Sequence, residues 1–234
     1  MWAVYKKELN SYFHSPVAYV LIGLFVLLTA IFFYPYVLSL FGDFTPVLST
    51  MGFILLFIVP ILTMRILAED RKNGTEVLLL TSPTSLTKIV VGKFLAAYTV
   101  FGIMTAVTFV FPIILSFYGG PISPQLIGAY VGFLLLGASF ISFGVFSSSL
   151  TENQIIAAVI GFVGLMIMLL ADTLAPAVGG FLGKVLGWIS LMTRYNDFYN
   201  GILGLGPIVY YLTFTGVFIF LTIRVIERRR WSQG

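Results

Sequence analysis

The sequence predicts an all-α integral membrane protein with six transmembrane helices in a single domain spanning residues 1–234. Three observations predict it. First, the chain is 59% hydrophobic and 9% charged, with mean hydropathy +1.04. A water-soluble domain carries roughly 25% charged residues to wet its surface, and only lipid tolerates a surface as dry as this one. Second, six apolar runs are long enough to cross a bilayer, which takes ~20 residues of helix. Third, the basic residues are sorted between loops, as membrane orientation requires.

The six runs lie at residues 17–40, 47–67, within 89–117, 126–150, 155–170 and 208–226. Pro35, Pro60 and Pro112 fall inside or near the ends of these runs. Proline in a membrane helix predicts a kink that neighbouring helices accommodate. With six spans, both ends lie on one side. Eleven of the thirteen basic residues fall there: Lys6 and Lys7; Arg65, Arg71, Lys72, Lys88 and Lys93; and Arg224, Arg228, Arg229 and Arg230. Lys184 and Arg194 fall on the other side. Both termini are therefore predicted cytoplasmic, in the inner (cytoplasmic) membrane. The net charge of +4 is orientation charge at an anionic leaflet, and nucleic acid is not needed to explain it. The chain has no cysteine, which excludes disulfides and thiolate metal sites.

Residues 1–15 carry Lys6, Lys7 and Glu8 among polar neighbours and lack a signal-peptide pattern. Trp2, Tyr5, Leu9 and Tyr12 fall at helical spacing, with Lys6, Lys7 and Asn10 between them. That pattern predicts an amphipathic helix in the membrane interface, ending at Ser15-Pro16. Residues 147–154 form a very short turn. Residues 173–207 contain Pro176 and seven glycines, too broken for a straight span. They stay apolar through Phe181, Leu182 and Trp188, so short helices dipping into the outer leaflet as a re-entrant cap are expected. A seventh span is the rival topology. It would place the C-terminus outside and break the charge count.

The most charged stretch is residues 65–93, RILAEDRKNGTEVLLLTSPTSLTKIVVGK. Asn73-Gly74 signals a turn. Thr75 can cap a short helix starting at Glu76, whose carboxylate suits a helix N-terminus. That helix, residues 76–81, exposes Val77, Leu78, Leu79 and Leu80 and ends at Ser82-Pro83. Its leucines need either a protein partner or the lipid headgroup layer to cover them. Physical reasoning from the sequence divides these two evenly.

Here the sequence resembles a known family. Ala68-Glu69-Asp70, Gly74-Thr75-Glu76, Leu79-Leu80, Ser82-Pro83 and Gly92-Lys93 resemble the loop of type-2 ABC exporter permeases, most closely the gliding-motility and nitrous-oxide-accessory branch. Leu150-Thr151-Glu152-Asn153-Gln154, Asp197-Phe198-Tyr199-Asn200-Gly201 with Tyr210-Tyr211, and Arg228-Arg229-Arg230-Trp231 match further segments in order. Arg194-Tyr195 departs from the His-Phe-like pair of that branch.

The resemblance implies that the N-terminal helix is an elbow helix. It also implies that the loop at 68–87 carries a coupling helix docking on a separate ABC ATPase subunit. The working exporter would pair this chain with a second permease copy or a sister permease. Ala68, Glu69, Asp70, Arg71, Gly74, Thr75, Glu76, Leu79, Pro83 and Thr84 would contact the ATPase, with Glu152 secondary. No stretch matches GxxxxGK[ST]. The chain is thus expected to be no enzyme and to bind no cofactor directly, ATP and Mg acting through the partner.

Other candidates are sparser. Asp172, Arg194 and Asp197 are candidate outer-gate or substrate residues, intramembrane acids being functional suspects. Asp172 at the outer interface, and Arg194 paired with Asp197 as structure, are the plainer readings. His14 is a lone histidine without metal-ligand companions. Gly137, Ser139, Ser142, Gly144 and Ser147, Ser148 and Ser149 make the fourth run rich in small residues, which favours close helix packing. The 16% aromatic content leans toward a hydrophobic or amphipathic substrate. The expected function is the permease of an ATP-driven exporter. The alternative is a permease-like scaffold whose ATPase drives a secretion or signalling machine. A channel would want a polar-lined helix, and a membrane enzyme several titratable groups at one depth; the runs offer neither.

Overall fold

A computed structural model describes residues 1–38, 43–76, 84–117 and 124–232. Helix α1 is Trp2–His14, α2 Pro16–Leu38, α3 Thr45–Thr63 and α4 Arg65–Lys72. Helix α5 is Leu86–Thr108, α6 Val110–Phe117, α7 Pro124–Leu150 and α8 Gln154–Val178. Helices α9 (Gly180–Ile189), α10 (Leu191–Tyr199) and α11 (Leu205–Ser232) complete the order. No strand occurs among the described residues. Six stretches are long and apolar enough to cross a membrane: α2, α3 with α4, α5 with α6, α7, α8 and most of α11. They coincide with the six predicted runs.

Proline explains one break in these spans. Pro112 has no N–H, and its ring collides with the carbonyl four residues earlier. That carbonyl belongs to Thr108, where α5 ends; Phe109 turns the chain and α6 restarts at Val110. Pro35 and Pro60, by contrast, sit inside continuous helices. The fifth span exceeds the 155–170 expected. Asp172 and Pro176 lower the local hydropathy, yet the backbone stays helical through both and α8 closes only at Gly179, with φ +64°. Residues 173–178 therefore belong to α8, and α9 and α10 are the short helices that follow.

Helix α7 is the hub, packing against α3, α4, α5, α8, α10 and α11. Its small residues set these approaches. A Cβ on Gly132 would stand 2.5 Å from Cβ of Phe198, so α10 presses Phe198 directly onto α7. Ala175 on α8 leaves no room for a side chain at Gly183 of α9, where a Cβ would lie 2.5 Å from its carbonyl oxygen. The α7 serines do not line a path. Ser142, Ser147 and Ser149 each donate to the carbonyl three residues back, at 2.8, 2.8 and 2.6 Å. Their polarity is absorbed by their own helix, as the packing reading of this run anticipates.

Helix α1 is clamped, beyond merely resting beside the bundle. Its first turns lie on Gly92 of α5, where a Cβ would come within 3.2 Å of the Met1 carbonyl. Tyr5 bonds Thr99 at 3.1 Å. The buried Tyr12 hydroxyl donates to the Leu62 carbonyl at 2.7 Å. Burial, with the Glu8 carboxylate nearby, holds that hydroxyl well above the ordinary tyrosine range, so it stays protonated and donating.

Candidate functional site: the charged face of the bundle

One face collects α1, α4, the head of α5, the turn between α7 and α8, and the end of α11. The break between α3 and α4 at Met64 starts it. The first-turn N–H groups of a helix have no partner of their own. Here Ser148 of α7 supplies one: its Oγ accepts from Leu67 N and Ala68 N, both at 3.1 Å, and donates to the Met64 carbonyl at 2.9 Å. Ser148→Ala would strand two buried donors and one acceptor. The expected loss is about 1–3 kcal/mol, read as a lowered melting temperature in detergent.

The next link was not legible in the sequence. Lys93 is only 2% exposed. Its Nζ reaches Glu8 Oε1 of α1 at 2.5 Å, Asp70 Oδ2 of α4 at 2.6 Å and the Ile66 carbonyl at 2.8 Å. An ammonium has three donors; here Glu8 and the Ile66 carbonyl accept hydrogen bonds from it, while Asp70 Oδ2 faces it as an ion pair and accepts none. The spacing of Glu8, Asp70 and Lys93 along the chain gives no hint of this; only the sequence's Gly92-Lys93 match pointed near it. Gly92 lets α1 approach closely enough for Glu8 to reach.

The opposite margin of the same segment is held by half-exposed charges. Arg71 pairs with Glu152 at 2.7 Å, and Arg229 with Glu76 at 3.6 Å. Arg229 also donates to the Ser149 carbonyl. On the α1 side, by contrast, Arg65 bonds Ser11 at 2.9 Å and pairs with Glu69 at 3.4 Å. Beside this margin, Lys72, Glu152, Asn153, Gln154 and Ile155 line an open cleft of about 470 Å³. Asn153 shapes its rim by accepting from Ile155 N at 2.9 Å as the cap of α8.

The predicted contact residues therefore divide. Ala68 is fully buried and faces inward. Asp70 is committed to Lys93. Thr75 differs from the expected cap: it is itself helical, and its hydroxyl donates back to the Asp70 carbonyl at 3.2 Å and carboxylate at 3.0 Å. Glu69, Arg71, Gly74, Glu76, Thr84 and Glu152 keep exposed or half-exposed surface. Gly74 makes the turn at φ +70°, in the left-handed region. Leu79, Pro83 and most of the predicted short helix lie outside the described residues.

At the far face, Arg194 does not join Asp197. Its guanidinium lies 3.9 Å over the Tyr210 ring and donates to the Ser190 carbonyl at 3.2 Å. Tyr210 and Tyr211 bond the Ile189 and Leu191 carbonyls at 3.0 and 2.7 Å, tying α11 to α9 and α10. Asp197 is half-buried, and Asp172 points outward from α8, exposed.

The sequence model of the ABC-2 family transporter proteins matches residues 41–229, most of the chain and every span but the first. The chain belongs to the ABC-2 transporter family. No curated protein matches it. As an ABC-2 permease it is a multi-pass membrane protein with a role in membrane transport. It is the transport component and not itself the catalyst, and its family associates with ABC ATPase subunits. In this ABC-2 permease the charged face gathers α1, α4, the head of α5, the α7–α8 turn and the end of α11.

Proposed function

We propose that this ABC-2 permease is half of the membrane part of an ATP-driven exporter and that its charged face receives a separate ABC ATPase. The observation that carries the reading is the convergence there of α4, the α7–α8 turn and the end of α11. Four separate spans, the second, fourth, fifth and sixth, end on one accessible surface beside an open cleft. A push on that surface reaches α3, α5, α7 and α11 together. Among the described residues, Glu69, Lys72, Gly74 and Glu152 offer the docking contacts, continued by Leu79 and Pro83.

The charged face is cytoplasmic in this reading, with both termini on that side of the inner membrane, because eleven of thirteen basic residues belong to it. Two permeases, identical or sister chains, enclose the path, with α9 and α10 as an outer re-entrant cap. The cargo is hydrophobic or amphipathic, matching bundle walls built of phenylalanine and aliphatic side chains. ATP and Mg act in the ATPase.

Co-purification with the cognate ATPase tests the docking. A Lys72→Glu, Leu79→Arg double variant should recover at least roughly tenfold less ATPase at equal permease yield, a change of about 1.4 kcal/mol. Undiminished recovery would sink the assignment.

A further inference from the structure

The segment from Arg65 to Glu76 is held on its two sides by contacts of opposite character. On the side of α1 and α5, the contact is the buried Lys93 ammonium, hydrogen-bonded to Glu8 and the Ile66 carbonyl and ion-paired with Asp70. Its partners' side chains are each only 16% exposed. On the side of α7, α8 and α11, Ser148 anchors the start of the segment at Leu67 and Ala68, and beyond it the contacts are the ion pairs Arg71–Glu152 and Arg229–Glu76, with side chains 21–57% exposed.

Ion pairs in water are weak and salt-screened. A buried pair is screened far less, and breaking it leaves an uncompensated charge. The two margins of one segment therefore differ steeply in how readily they open.

The composition of the buried cluster adds a second argument. An apolar trio would hold three helices as well or better, since buried ion pairs are seldom net stabilisers. What two hydrogen bonds and one close ion pair to a single ammonium add is a fixed register: Glu8, Asp70 and Ile66 must each stand within 2.5–2.8 Å of Nζ. Tyr5 on Thr99, Tyr12 on Leu62 and Arg65 on Ser11 brace the same three elements.

We propose that Lys93 welds α1, α4 and the head of α5 into one lever, and that the exposed ion pairs on the opposite margin are the side that releases when the lever moves. Lys93 is a positioning residue in this scheme. The inference builds on the docking reading above for what drives the lever, though not for the lever itself.

The chain has no cysteine, so spin labels can be placed without background. One pair, Lys6→Cys with Asn73→Cys, straddles the weld. The other, Asn73→Cys with Ile155→Cys, straddles the release side. The first measurement uses the permease alone in lipid nanodiscs, by pulsed electron–electron double resonance. Raising salt to about 1 M, where the screening length falls to about 3 Å, should broaden the 73–155 distance distribution and leave 6–73 unchanged. Broadening of 6–73 to the same extent, or a 73–155 distribution indifferent to salt, overturns the proposal.

The second measurement neutralises the weld without stranding a charge, in Lys93→Met, Glu8→Gln, Asp70→Asn. The 6–73 distribution should then broaden; a narrow one overturns the role of Lys93. Should this variant not fold, the salt measurement on the native cluster still decides. The third adds the ATPase and traps it with ATP and vanadate: 73–155 should shift while 6–73 holds. A 6–73 shift equal to that of 73–155 overturns the lever. An ATPase that does not assemble with the native permease counts against the docking reading, while the salt result stands.

Discussion

Lys93→Met is expected to lower folding stability by about 3–5 kcal/mol, the loss typical when one partner of a buried ion pair is removed. The substitution deletes the only cation that faces both Glu8 and Asp70 in the buried cluster. Two carboxylates, each 16% exposed, then lose the ammonium that both face, and the Ile66 carbonyl loses its donor; Lys7 and Arg65 line the same cleft of about 220 Å³ without replacing it. Glu8→Gln should cost much less, because an ammonium facing one carboxylate and an amide is still compensated. Lys93→Arg should also fail, since a longer, planar guanidinium cannot take the compact position from which Nζ meets Glu8, Asp70 and the Ile66 carbonyl. Thermal unfolding of the purified variants in one detergent checks the ranking. Equal losses in Lys93→Met and Glu8→Gln would mean that the carboxylates are wetter than their burial indicates.

The second large effect lies at the crossing of α5 and α7. Gly137→Ala would place a Cβ inside the ring of Phe101, which is fully buried. The ring has no free direction, because Phe133 and Tyr98 pack against it at centroid distances of 5.5 and 6.2 Å. Overpacking a tight interior costs about 1–3 kcal/mol. Adding Phe101→Leu should recover most of the loss, since the clashing atoms are all ring atoms. Lack of rescue would show that backbone approach, and not the ring, limits this position. The same detergent melts, run as a double-mutant cycle, give the answer.

The spans were legible because each is a long run with almost no charge, and lipid demands that. Their interruptions were legible where proline forces them, as at Pro112. The extension of α8 was hidden. Asp172, Pro176 and the glycines beyond look like an ending, but the helix continues until Gly179 takes a positive φ. The charged face was only half legible. Basic residues were read as orientation charge, an argument about loops in bulk. Lys93 belongs to that count by sequence, yet it lies inside the bundle with two acids drawn from residues 85 and 23 positions earlier. Such a cluster has no periodicity and no spacing rule, because it depends on how three helices meet. Ser148 illustrates the same limit: small residues on α7 predict packing, but not that one hydroxyl supplies the partners missing at the break after Met64. Asp70 and Glu152 both stand in the segments that carry the resemblance, and only the fold assigns one to the interior and the other to the surface.

The order of residues in the Lys93 cluster bears on how the chain can be made. Synthesis proceeds from the N-terminus, and early segments settle before later ones emerge. Glu8 and Asp70 are both translated before Lys93, so the ammonium finds its two acids already waiting and need not enter lipid unaccompanied. Glu76 and the Ser149 carbonyl, by contrast, wait for Arg229, close to the end of the described chain. The weld can thus close while the ribosome is still building the fourth span, whereas the release side closes only when the last span is in place. A nascent chain stalled between the two would carry a finished lever and an open latch.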